Sequence, residues 1–174
     1  MSFFRRSLRV AEREAALRYY TEFLKVLAFH ERESDRYNEE GIRFQNGLQG
    51  LADIRLLMKA AERLTRASEE AHRRHDALQP LVPQVASDHF SSWQGVLDWT
   101  VKWSNANHEA LRLMSLGQDR TAANAQSYQA VVMDLQAAAE RKSSNLLRRV
   151  QLDQADASRL VAQAALALDD WNPA

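Results

Sequence analysis

Residues 4–29 read FRRSLRVAEREAALRYYTEFLKVLAF, and their spacing decides the fold class. Phe4, Leu8, Ala11, Ala15, Tyr19, Phe23, Val26 and Phe29 follow one another in steps of three and four, the period of one face of an α-helix. A second stripe, Val10, Leu17, Tyr20, Leu24 and Leu27, lies beside the first. Together they make an apolar face broad enough to touch two neighbouring helices. Alternation with period two, the mark of a half-buried strand, is almost absent from the chain.

The same helical reading extends outward. A charged stretch, residues 31–40, ends at Gly41, the preferred stop of the first helix; a turn reaching as far as Gly50 is the alternative. Apolar steps resume at Phe44, Leu48, Leu51, Ile54, Leu57, Met58, Ala61, Leu64, Ala71 and Leu78. Pro80 and Pro83 then end the second helix, because proline removes a backbone donor and clashes with the preceding turn. Ser87 or Asp88 is placed to cap the third helix. That helix carries Phe90, Trp93, Leu97, Val101, His108 and Leu111 and is expected to stop at Gly117, with Asp119 or Thr121 capping the fourth. From there to Trp171 no glycine or proline interrupts about 50 residues, roughly 75 Å of helix if straight. The polar stretch 151–158 can hold a bend. The expectation is all-α: a single domain over residues 1–174, an elongated, coiled-coil-like bundle of about four long antiparallel amphipathic helices. Apolar stripes on protruding ends favour a homodimer.

Composition narrows the function classes. Of 174 residues, 45% are apolar and 26% charged, sufficient for a buried core. Basic and acidic residues balance, 23 against 23, so no net field draws the protein to nucleic acid. Absence of cysteine excludes disulfides and thiol chemistry. The charged N-terminus lacks a signal-peptide core, and the longest uncharged run, residues 121–133, is too short and polar to cross a membrane. A cytoplasmic protein is expected.

No constellation of residues supports an enzyme or a cofactor. Glu69 and His72 give the Glu-x-x-His spacing of helical di-iron sites once, with Asp76 a turn further on, but no second copy exists. His30-Glu31 and His108-Glu109 open a zinc-protease motif that Ser34 and Arg112 then break. No metal site follows, and His108 reads as a core histidine on an apolar stripe. Basic clusters occur at 55–74 and at Arg141, Lys142, Arg148 and Arg149. Glutamates interleave the first, and neither carries the aromatic residues that stack bases.

Two features remain. At the N-terminus Phe3, Phe4 and Leu8 alternate with Arg5, Arg6 and Arg9, the chemistry of an interfacial anchor in which apolar side chains insert and arginines meet anionic lipid. A long helical bundle behind such a segment resembles the membrane-curving BAR proteins in architecture, without any motif. The competing expectation is that Phe4 and Leu8 begin the core stripe. Trp93, Trp99 and Trp103 are core at helical spacing or candidate anchors for a protein partner. Trp93-Gln94-Gly95 is similar to the Trp-x-Gly triplet of small type VII-secreted helical hairpins, where it lies at a turn; that family's C-terminal Tyr-x-x-x-Asp/Glu signal is absent, Val132 standing four places after Tyr128. The functional expectation is a non-enzymatic scaffold or adaptor acting through protein–protein contact and self-association. The alternatives are a peripheral membrane-binding bundle and, more remotely, a helical metal-binding protein.

Overall fold

The computed structural model describes residues 8–47, 51–117 and 122–167. Among them there are no strands and five α-helices: α1 (Val10–Asn46), α2 (Leu51–Ala77), α3 (Ser87–Ser115), α4 (Ala122–Arg149) and α5 (Gln154–Leu166). Helix α2 packs between α1 and α3, α4 packs on α3, and α5 lies on α1. Paired contacts give the directions. Phe23 meets His75 while His30 meets Ser68, so α1 and α2 run in opposite senses. Trp93 meets Ser143 while Trp99 meets Tyr128, so α3 and α4 do too. The backbones of α1 and α4 approach closely over no appreciable length; long side chains bridge them at one end.

The first helix does not stop at Gly41. It continues to Asn46, because Tyr37 and Phe44 still have a cluster of Leu57, Ala61 and Leu111 to pack on, and the Glu40–Arg43 pair at 2.8 Å spans the glycine. One interior glycine costs only about 1 kcal/mol relative to alanine, less than that packing returns. A Cβ at Gly41 meets nothing within 4 Å. Gly41→Ala is therefore expected to stabilise the protein by about 0.5–1 kcal/mol. At Gly117, where φ is +73°, the same change should destabilise it by a comparable amount. Thermal melts of the two variants should shift in opposite directions.

Pro80 and Pro83 end α2 as expected, through two 3-10 turns, Gln79–Leu81 and Gln84–Ala86. Neither Ser87 nor Asp88 caps α3. The second 3-10 turn runs straight into the helix, the Ser87 N–H donating to Gln84 O, and the Ser87 hydroxyl turns back to the same carbonyl at 2.9 Å. Gly117 follows the last turn of α3, its N–H donating to Met114 O at 3.0 Å. The expected caps Asp119 and Thr121 lie outside the described residues.

The long last segment is two helices, broken at 150–153. Gln151 takes a left-handed conformation (φ 54°), and the Leu152 N–H donates back to Leu147 O at 3.0 Å, a Schellman ending whose two leucines both pack on the core. Arg13 reaches across from α1 to hold this corner, Nε donating to Val150 O at 2.6 Å. Asp153 then caps α5, accepting from the Asp156 N–H at 2.8 Å.

Candidate functional site

Each of α1, α2, α3 and α4 sends side chains into one buried layer near the end of the bundle where α1 begins. Tyr19 and Phe23 stand one turn apart on α1, His89 and Trp93 one turn apart on α3, and Ala139 and Ser143 one turn apart on α4. His75 enters from α2. The polar atoms of this layer form one connected set of hydrogen bonds. The Ser143 oxygen accepts from Trp93 Nε1 and pairs with His89 Nε2, each at 3.0 Å, and its hydroxyl also lies 3.2 Å from Ala139 O. On its other side His89 Nδ1 pairs with the Tyr19 hydroxyl at 2.8 Å, so the neutral ring donates from one nitrogen and accepts on the other. His30 repeats the pattern toward the middle of the bundle: its Nε2 pairs with the Ser68 hydroxyl at 3.1 Å, and that hydroxyl lies 2.8 Å from Leu64 O.

His75 differs. It is fully buried, its ring stacked on Phe90 (4.4 Å, 11°) with Phe23 edge-on (6.0 Å), and neither ring nitrogen has a hydrogen-bond partner. Burial lowers the pKa of all three histidines: His30 to about 4, His75 to about 4 and His89 to about 3, the last pushed further down by His75. Asp76 partly offsets the effect at His75. Burial also raises the Tyr19 and Tyr20 hydroxyls. The cluster is neutral and closed, suited to fixing four helices in register. Because an unsatisfied buried polar group costs about 1–3 kcal/mol, His75→Leu should unfold at the same or higher denaturant concentration at neutral pH despite losing the ring stack. A loss beyond about 1.5 kcal/mol would mean that the His75 nitrogens have a use in the folded protein.

Above this layer opens a groove of about 780 Å³, lined by Leu8, Val85, Asp88, His89, Lys142, Asn145, Leu146, Arg148, Arg149 and Gln151. Its buried lining is Leu146 and His89 with half-buried Leu8 and Val85, and its exposed lining is polar and charged. Lys142, Asn145, Leu146 and Arg149 recur on α4 at the helical spacing of three and four, so one stripe of α4 forms this wall. Lys142 lies 3.3 Å from Asp88, and both are exposed.

The residues singled out in the sequence scatter. Trp93 is buried, its N–H held by Ser143, and presents nothing to a partner. Trp99 is half-buried, edge-on to Tyr128 with the Lys102 ammonium 4.6 Å from its ring. Trp103 is half-buried against Tyr37. The Trp93-Gln94-Gly95 triplet lies inside α3, not at a turn, so the similarity to type VII-secreted hairpins ends there. Phe3, Phe4, Arg5 and Arg6 lie outside the described residues. Leu8 is half-buried against the core, and exposed Arg9 starts α1, its N–H donating to Glu12 at 3.0 Å. His108 is only half-buried; the histidines of the core are His75 and His89. Their signal was in the spacing, Leu64, Ser68, Ala71 and His75 forming one stripe and His89 standing four places before Trp93. His72 pairs loosely with Asp76 at 3.7 Å, and among the described residues no three metal-ligating side chains converge. The basic face of α2 is laced by ion pairs, Arg66 with Glu62 at 2.6 Å and both Arg73 and Arg74 with Glu70. Among the described residues no helix is long and apolar enough to cross a membrane. Compared with known protein families, with curated proteins and with solved structures, the chain matches none of them.

Proposed function

We propose that this chain is a non-enzymatic cytoplasmic scaffold or adaptor that binds another protein in the groove at the start of α1 and associates with itself as a homodimer. The observation that carries the reading is the groove: Leu8, Val85 and Leu146 lie beside His89 beneath a polar, charged rim, an anatomy suited to a partner. The histidines suited to acid–base work are meanwhile consumed by the fold, His75 fully buried and His89 only 2% exposed. Self-association draws on the opposite end, where Ile42, Leu56, Met114 and Leu116 are all exposed although large and apolar. The half-buried position of Leu8 favours a core role for that residue over insertion into lipid.

A photo-cross-linking amino acid at Asn145, compared with one at exposed Glu62 on α2, tests partner binding in the native host. Asn145 should give discrete adducts that Glu62 does not. Identical adduct patterns from the two positions would remove the groove from consideration. Sedimentation velocity tests the homodimer, and a monomer at every accessible concentration would exclude it.

A further inference from the structure

The groove rim carries three cations, Lys142, Arg148 and Arg149, against one carboxylate, Asp88, an excess of two positive charges. The neutral His89 adds none, its pKa being held low by burial. Lys142 and Arg149 stand seven residues apart on the groove-facing stripe of α4, about 10 Å along the axis, with buried Leu146 between them. Seven residues is also two turns of a partner helix. From this spacing and charge we infer that the occupant of the groove is an acidic amphipathic helix of another protein. Two carboxylates seven positions apart meet Lys142 and Arg149, and an apolar side chain between them covers Leu146. The inference rests on the adaptor reading and adds the chemistry of the partner to it. Charge complementarity of this kind sets partner choice and speeds encounter more than it adds affinity, so binding should be salt-sensitive.

The test uses the full chain and a fluorescein-labelled helical peptide with glutamates seven positions apart flanking leucines, followed by anisotropy. Saturable binding is expected, weakening as salt is raised and lost when lysines replace the glutamates. Arg149→Glu should weaken it roughly tenfold or more, the scale of a lost and reversed charge contact, whereas Arg55→Glu, the same charge change on an exposed position of α2, should leave it unaltered. Melting curves of the two variants confirm that both fold. Equal binding of the glutamate and lysine peptides, equal loss in both variants, or displacement by a single-stranded oligonucleotide at lower concentration than by unlabelled peptide overturns the inference. If the Asn145 cross-linker captures a partner while the acidic peptide fails, the adaptor reading stands and only the acidic chemistry falls.

Discussion

Melting temperature is expected to be flat above about pH 6.5 and to fall steeply as the pH drops from there toward 4. The cause is three histidines that ionise near 6.5 when exposed but only at about 3 to 4 in the folded protein. A folded-state pKa below the unfolded value means that the unfolded chain binds the extra protons. The neutral-pH stability is therefore present above the unfolded pKa and is lost as pH falls toward the folded one. Each such histidine removes about 1.4 kcal/mol per pH unit within that window. His75 and His89 count almost fully, and half-buried His30 counts for less, giving about 3–4 kcal/mol per unit in all. Against a total stability of about 5–15 kcal/mol, this places acid unfolding within the histidine window. Asp76 beside His75 moderates the effect, while His72 on α2 and His89 on α3 oppose charging of the same ring; Tyr19 and Tyr20 face the pair from α1 in their neutral forms. Glu70 and Glu109, whose arginine hydrogen bonds lower their pKa values, add to the loss from the ordinary carboxylate range downward. Far-UV circular dichroism against pH measures the transition. His75→Leu should flatten its slope by about one proton, and a wild-type curve unchanged down to pH 4 would show that these rings are not neutral and buried.

Removing a single hydroxyl, Ser143→Ala, is expected to destabilise the protein by about 1–3 kcal/mol, although serine to alanine inside a helix usually gains stability. The hydroxyl oxygen accepts from Trp93 Nε1 and pairs with His89 Nε2, so its loss strands the buried indole donor, at a cost of about 1–3 kcal/mol, and takes a partner from His89. His89 keeps Tyr19 as a partner in either tautomer, since a hydroxyl both donates and accepts, so the stranded Trp93 donor carries the expected loss. Ser144→Ala is the control. Ser144 is exposed and donates only to Glu140 O in its own helix, and its loss should change stability by no more than about 0.5 kcal/mol. Urea midpoints of the two variants measure the contrast, and similar midpoints would show that Ser143 does not hold the layer together.

Much of the helical plan was legible because its causes are local. Pro80 and Pro83 lack donors wherever they stand, and Gly117 tolerates the positive φ that ends α3. Gly41 misled because a glycine alone only weakens a helix. Whether the helix continues depends on what Tyr37 and Phe44 find to pack on, which is a matter of α2 and α3. The break after α4 was legible only as polarity. Its geometry depends on Gln151 in a conformation glycine usually takes, stabilised by an arginine 138 positions earlier in the chain.

The candidate site was less legible than the fold. Periodicity marks which face of a helix is apolar and carries no information about which neighbour covers it, so three tryptophans at similar spacing met different fates. Trp93 faces Ser143 in the core, while Trp99 and Trp103 lie half-buried against Tyr128 and Tyr37. His75 and His89 look like any other histidines until α1, α3 and α4 close around them and water leaves. By itself the sequence determined an all-α chain, its main breaks and its apolar faces, since these follow from local backbone sterics and hydrophobic spacing. Only the tertiary structure decided the neutral histidine layer, the corner held by Arg13 and the basic groove. Each of these joins residues far apart in the chain, and burial or proximity then sets a charge, a proton or a hydrogen bond that no local pattern encodes.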